Sequence, residues 1–87
     1  MIPLKVGLIY KNMELEVLKY IAAGICMGIG SIAPALGEAM IASKAMEAIG
    51  RNPEASDKIL TPMFVAMAIT ESTGIYALVI SLIILFS

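Results

Sequence analysis

Two long apolar runs dominate the chain and constrain its fold more than any other feature. The first covers residues 21–42, with Ser31 and Glu38 as its strongly polar members, and the second covers residues 59–86, with a single charge at Glu71. Each run is long enough to cross about 30 Å of hydrocarbon as a helix. A soluble chain of 87 residues could bury only part of this apolar surface. The sequence therefore predicts an all-α membrane protein with two spanning helices.

Composition excludes several classes of function. Hydrophobic residues make up 60% of the chain, and the mean hydropathy is +0.94. Six Lys or Arg against seven Asp or Glu give no basic field for nucleic acid, and the absence of histidine removes imidazole catalysis and histidine metal sites. The single cysteine, Cys26, cannot form an intrachain disulfide and is expected to be a small apolar packing residue. We expect no cofactor and no nucleic-acid partner.

The segment between the runs predicts a tight connection. Residues 47–58 hold the densest charge of the chain and contain Gly50-Arg51-Asn52-Pro53. Glycine can end a helix, and proline can stand in the first turn of the next one. The sequence therefore predicts a helical hairpin with helix one over about residues 13–49, a loop over about 50–53 and helix two over about 54–86.

Residues 1–12 are expected to form an exposed or interfacial extension. Their apolar stretch, residues 6–10, is too short to span a bilayer or to serve as the core of a secretory signal. Glu14 and Glu16 suit a helix N-terminus, which favours a start of helix one near residue 13. Lys and Arg are equally frequent on the two sides of the spans, so the positive-inside rule leaves the orientation open.

Helix one carries a stripe of small residues that predicts close helix packing. At about 100° per residue, the stripe is formed by Gly24, Gly28, Ser31 and Ala35. Small side chains let helix backbones approach closely in lipid, where no hydrophobic force drives the helices together. A stripe this long suits a helix packed on both sides in a closed ring of identical hairpins. Pro34 removes one backbone donor and leaves the carbonyl of Gly30 free.

Glu71 is the strongest candidate for a functional residue. A carboxylate near the bilayer centre is disfavoured by about 2.5–3.5 kcal/mol on insertion scales, so such residues are usually functional. Ser72 and Thr73 follow it directly, and Tyr76 lies beyond them. Oxygen ligands of this kind suit a proton or Na⁺ and offer nothing to a soft metal.

Glu38 is the second carboxyl group within a span, at the edge of the small-residue stripe. Two carboxylates in a dry site cannot both ionise readily, so one of them is expected to hold a proton. Counting from the loop, however, places Glu71 about six residues further from the turn than Glu38. Spacing alone therefore does not bring Glu38 and Glu71 to one level.

Three motifs together resemble the c subunit, or proteolipid, of F-type rotary ATP synthases. They are Ala33-Pro34-Ala35-Leu36-Gly37-Glu38, Arg51-Asn52-Pro53 and Glu71-Ser72-Thr73-Gly74-Ile75-Tyr76. The last one is similar to the ion-binding signature of the Na⁺-binding members. The resemblance covers about residues 18–87. It implies that Glu38 supplies the second ion ligand from helix one, and therefore that Glu38 and Glu71 lie at one level although spacing alone does not predict it.

The resemblance implies a ligand set for the transported ion. Na⁺ would be held by Glu71, Glu38, the hydroxyl of Ser72 and the backbone carbonyl of Ile69. Thr73 would hold a water molecule and Tyr76 would anchor the carboxylate; both residues follow Glu71 in helix two. The best-known sodium members carry Gln at the position of Glu38, whereas the two-carboxylate variants and the so-called N-type ATPases carry Glu. The resemblance therefore leaves both Na⁺ and H⁺ as transported ions.

The resemblance also implies partners and location. A homo-oligomeric ring would turn in lipid against a stator a subunit that bears an essential arginine. The loop residues Arg51, Asn52 and Pro53 would contact the central stalk on the cytoplasmic side of a bacterial cell membrane. The chain itself would be a non-catalytic rotor subunit.

Three alternatives remain open from the sequence. The first is a rotor ring that carries only H⁺. The second is a small two-span pore former such as a phage holin, although a holin needs no oxygen-ligand cluster in mid-span. The third is an assembly proteolipid whose carboxyl groups are merely hydrogen-bonded.

Overall fold

The computed structural model describes residues 3–87 as an antiparallel pair of helices, 77 Å long in all. The elements are α1 (Leu4–Gly30), α2 (Ile32–Arg51), a short 3₁₀ helix (Pro53–Ala55) and α3 (Ser56–Phe86). We call α1 and α2 together helix one, and the 3₁₀ helix with α3 helix two. Both are long and apolar enough to cross a membrane. The predicted hairpin of two spanning helices is therefore confirmed.

Helix one begins at Leu4, well before the predicted start near residue 13. Pro3 precedes it with φ −56° and ψ 146°, and the helix follows at once. Gly7 weakens a helix by only about 1 kcal/mol relative to alanine, and most of its neighbours are adequate helix formers. Glu14 and Glu16 thus lie inside the helix, and the described part of the predicted extension is helical.

A short interruption at Ser31 separates α1 from α2. Pro34 lies one turn further along and has no N–H to donate to the carbonyl of Gly30. The Ser31 hydroxyl donates to the carbonyl of Gly28 at 3.2 Å, and the amide of Ala35 donates to the carbonyl of Ser31 at 3.2 Å. The two helices therefore continue almost as one through the break that the sequence predicts at Pro34.

The turn between the helices is made by Asn52 and Pro53. Asn52 has φ −143° and ψ 84°, an extended conformation favoured in a residue before proline. Pro53 then opens the 3₁₀ helix, and the amide of Ala55 donates to the carbonyl of Asn52 at 3.0 Å. Gly50 remains helical and does not end helix one, which runs to Arg51. The predicted loop over residues 50–53 is therefore displaced toward the C-terminus.

Helices one and two approach over residues too small to separate them. A Cβ added at Gly30 would lie 2.7 Å from Ala77 Cβ, and one added at Gly37 would lie 2.9 Å from Thr70 Cγ2. At the next level the Ser81 hydroxyl lies 3.2 Å from the carbonyl oxygen of Ala23. Glycine is thus required at positions 30 and 37 by the other helix of the same hairpin.

These contacts define the register of the pair. Gly37 lies beside Thr70, Gly30 lies beside Ala77, and the Lys19 ammonium donates to the backbone oxygen of Ser87. Helix two therefore ends at the level of Lys19. Before Lys19, no other described helix lies beside α1, and residues 3–18 are all exposed.

The contact at Gly30 gives a first testable prediction. Gly30→Ala places a methyl group against Ala77, and overpacking of this kind typically destabilises by about 1–3 kcal/mol. Gly50→Ala is the matched control, because an added Cβ at Gly50 would meet no described atom within 4 Å. Thermal unfolding of the detergent-solubilised protein should show a lower midpoint for Gly30→Ala only. Equal midpoints for the two variants would contradict the close contact.

Candidate functional site

The structure brings Glu38 of α2 and Glu71 of α3 together. Their carboxyl groups lie close enough to interact directly. The register explains this meeting: helix one runs to Arg51 and α3 begins only at Ser56, so the centre of the turn lies further along the chain than the predicted loop. Glu38 and Glu71 therefore lie at nearly the same distance from the turn, contrary to the count from the predicted loop. Their side chains span the remaining difference in height.

Pro34 and Gly74 form the floor beside the carboxyl pair. An added Cβ at Gly74 would lie 3.4 Å from Glu71 Oε1 and 3.6 Å from Pro34 Cγ. Both residues are buried. Pro34 therefore packs against α3 beside Glu71, and Gly74 lies next to both of them. The sequence singled out Pro34, but it offered no reason to expect that Gly74 has this role.

Ser72 and Ile69 place two further oxygen atoms next to each other on α3. The Ser72 hydroxyl donates to the backbone carbonyl of Ile69 at 2.6 Å. Hydroxyl and carbonyl oxygens are hard ligands, which prefer hard cations such as Na⁺ to soft metals. A cation that bound both oxygen atoms would replace this hydrogen bond, and the Ser72 hydroxyl would keep its proton and turn it away from Ile69.

Thr73 lies on the opposite side of α3 from Glu71, because two residues correspond to a rotation of about 200°. Thr73 and Ile69 line a shallow cavity with Thr70, Ala33 and Pro34. We call this side of the hairpin the Thr73 flank, and the side with Glu38 and Glu71 the Glu71 flank. Within one hairpin the predicted ligands are thus divided between two flanks.

Tyr76 does not join the carboxyl pair in a single hairpin and lies on the side of α3 that carries Ile69. It follows Glu71 by five residues, a rotation of about 140°, and it is 68% exposed. Its predicted role as an anchor for the carboxylate therefore depends on what covers the outer surface of α3.

The predicted packing residues of helix one are open to a neighbour. An added Cβ at Gly24 or Gly28 would meet no described atom of the hairpin within 4 Å. Ser31 is half-buried and Ala35 is exposed. The stripe is therefore distinct from Gly30 and Gly37, which face α3.

Arg51, Asn52 and Pro53 lie together at the turn, and all three are exposed. The nearby Lys44 and Glu47 form an ion pair of 3.6 Å on the surface of α2. The turn thus presents a charged, accessible surface at one end of the hairpin.

The fold and the site define a two-span membrane protein with a pair of carboxyl groups inside the span. Residues 21–84 match the family of ATP synthase C subunits. Similar proteins include the ATP synthase c subunit of Petrotoga mobilis, which is 53% identical over 68 residues (78% of this chain and 71% of the relative). That of Dehalococcoides mccartyi is 47% identical over 74 residues (85% and 97%), and that of Thermotoga maritima is 51% identical over 67 residues (77% and 79%).

The chain belongs to this family of ATP synthase C subunits. It is accordingly a membrane component of an ATP synthase, an ion-translocating part of the rotor ring and not the catalytic part. Family membership also decides against the pore-forming alternative.

Proposed function

We propose that this chain carries Na⁺ on Glu71 while Glu38 keeps its proton. The observation that carries the proposal is the meeting of Glu38 and Glu71. The joined oxygen atoms of Ser72 and Ile69 supply further oxygen ligands from a neighbouring copy. A proton needs only a carboxylate, whereas a hydroxyl and a carbonyl beside the carboxylate supply the several oxygen ligands that a hard cation requires.

Charge balance determines the protonation of the site. One Na⁺ and one carboxylate charge are neutral together, so the second carboxyl group must be uncharged for the site to cross lipid. A bare charge at the bilayer centre is disfavoured by about 2.5–3.5 kcal/mol or more. Glu71 therefore exchanges the ion, and Glu38 contributes a neutral oxygen ligand.

Two copies complete the site. A ring is built by head-to-tail contacts, in which one flank of each copy meets the opposite flank of the next. The Glu71 flank of one hairpin then faces the Thr73 flank of its neighbour. This contact brings Thr73 and Ile69 of the neighbour toward Glu71, where Thr73 holds a water molecule. The same contact covers part of Tyr76, whose hydroxyl then reaches the carboxylate.

Transport of H⁺ alone is the second candidate, and Glu38 is the observation that favours it. An additional carboxyl group beside Glu71 gives a proton a further binding oxygen. Both acids would then be protonated in the closed site, and Na⁺ would not compete.

The ring requires a stator and a central stalk as partners, because it uses the passage of ions to drive ATP synthesis. One elementary charge crossing 100 mV supplies about 2.3 kcal/mol, so several ions must contribute to each ATP. Each Glu71 passes in turn from lipid to a stator a subunit, whose arginine displaces the ion from the carboxylate. The turn at Arg51–Pro53 contacts the central stalk on the cytoplasmic side of a bacterial cell membrane.

Modification by a hydrophobic carbodiimide tests the proposal. Carbodiimides attack protonated carboxyl groups in lipid, so we expect Glu71 to be the residue whose modification in purified rings responds to Na⁺. Glu38 keeps its proton with or without Na⁺, so any modification of Glu38 should not respond to Na⁺. Bound Na⁺ excludes the proton that the reaction needs at Glu71, and millimolar Na⁺ should therefore slow the modification of Glu71 at neutral and alkaline pH. Glu71→Gln is the control that should show no modification that responds to Na⁺.

Each other outcome overturns part of the proposal. Modification of Glu71 that is unchanged by Na⁺ across pH would replace the sodium carrier with a proton carrier. No modification of the wild-type ring would favour the assembly proteolipid with permanently hydrogen-bonded carboxyl groups.

A further inference from the structure

The N-terminal end of helix one projects beyond the end of helix two. Residues 4–20, which we call the collar segment, lie almost wholly past the end of α3 at Ser87. At about 1.5 Å per residue the segment is about 25 Å long. The match to the family model begins at residue 21, directly after the collar segment.

One side of the collar segment carries a heptad-like seam. Leu4, Leu8, Lys11, Leu15 and Leu18 follow one another at alternating steps of four and three residues. This spacing keeps side chains in one line along a helix that packs against a parallel neighbour. We call this line seam one, and its leucines are exposed in the single hairpin.

The opposite side carries a second seam with the same spacing. Seam two consists of Val6, Tyr10, Met13, Val17 and Tyr20. All five side chains are exposed. The two seams are offset by two residues and so lie about 160° apart around the helix. A helix with apolar lines on two opposite sides suits contact with two neighbours at once.

One side of helix one lies between the two seams and faces α3. The residues on this side are small within the hairpin and mostly polar in the collar segment. Within the hairpin this side is occupied by Ala23 and Gly30, which pack against α3. In the collar segment the same side is occupied mainly by polar residues, Lys5, Asn12 and Glu16, with Ile9 beside them. These polar side chains are exposed in the single hairpin.

We propose that the collar segments of neighbouring copies pack seam one against seam two and form a closed helical collar above the membrane part of the ring. The proposal rests on the ring assembly of the family. Each helix one already lies beside two copies in that ring, and α1 runs without interruption from Leu4 to Gly30. The ring contact therefore continues into the collar segment. Head-to-tail pairing of unlike seams is the arrangement that closes a ring.

Charge at the seams agrees with a parallel arrangement. Lys11 interrupts seam one, and Glu14 lies at the edge of seam two on the side away from α3. When parallel copies pack at the same height, Lys11 of one copy comes near Glu14 of the next. Opposite charges beside the seams are the usual means by which coiled coils fix register.

Disulfide trapping in the intact ring tests the collar. Met13→Cys with Leu15→Cys, in a Cys26→Ala background, places one thiol on each seam at nearly the same height. Oxidation should give a ladder of covalent oligomers up to the full ring on a non-reducing gel. Lys5→Cys with Asn12→Cys is the matched control, because both thiols lie on the side between the seams, and it should give no ladder.

Two results would overturn the collar. One is an intact ring in which the two thiols on the seams give no ladder of covalent oligomers. This result includes the case in which the same thiols react with a lipid-soluble maleimide, which would place them against the bilayer. The other is an equal ladder for the control pair. Carbodiimide modification of Glu71 in the same rings reports on the ion site separately, so a failed collar and a failed ion site are distinguished.

A second measurement does not depend on thiol chemistry. Leu15→Lys places a charge in seam one, whereas Asn12→Lys places the same charge on the side between the seams. We expect the temperature at which the ring dissociates into monomers to fall for Leu15→Lys and to remain unchanged for Asn12→Lys. Equal temperatures for Leu15→Lys and the wild type would contradict a packed collar.

Discussion

Glu71→Gln is expected to reduce ion-driven ATP synthesis to background while the ring still assembles. Glutamine keeps the size and the carbonyl oxygen of glutamic acid but cannot ionise. The variant therefore cannot exchange one neutral state for a charged one at the stator. Synthesis is measured in vesicles that contain the complete enzyme, and assembly is measured as the amount of intact ring on a native gel.

Glu38→Gln is the matched comparison for this result. Glu38 lies beside Glu71, and a protonated carboxyl group and an amide offer similar oxygen ligands. Glu38→Gln should therefore keep substantial activity. Complete loss in Glu38→Gln would show that Glu38 carries the exchanged charge, and activity in Glu71→Gln would remove Glu71 from that role.

Gly28→Leu is expected to prevent ring formation without unfolding the hairpin. An added Cβ at Gly28 would meet no described atom within 4 Å inside one hairpin, so a leucine there disturbs only what packs from outside. Small residues at such positions allow neighbouring helices to approach closely in lipid. The expected result is monomer in place of ring on a native gel, with helical content unchanged by circular dichroism.

Val79→Phe is the matched control for added bulk. Val79 is 46% exposed and lies on the side of α3 away from Ala77 and Ser81, which pack against helix one. A larger side chain there meets lipid, so the ring should form. Normal ring formation by Gly28→Leu would show that Gly28 lies outside the contact between copies.

The spanning helices and the turn could be predicted because the signals that define them are local. Twenty or more apolar residues suffice for a span, and Pro53 disfavours a helical conformation in the preceding residue, Asn52. Glu71 could be singled out for the same reason, since a charge within a span is conspicuous in any context.

The meeting of Glu38 and Glu71 could not be predicted from the residues alone because it depends on register. Register is fixed by contacts far apart in the chain, above all Gly30 with Ala77 and Gly37 with Thr70. The start of helix one was also missed, because acidic residues in a first turn are a weak preference that helix-forming neighbours override.

The close approach at Gly30 and Gly37 also affects the energy conversion of the whole rotor. In a ring of such hairpins, helix one and helix two of every copy would lie on two concentric circles, whose radii differ by the distance between the helices. Suppose that the distance between neighbouring copies is fixed on each circle. A larger radial distance between the two circles then requires more copies to close the ring. The missing side chains at Gly30 and Gly37 thus favour fewer copies, fewer ions per revolution and a higher ATP yield for each ion that crosses the membrane.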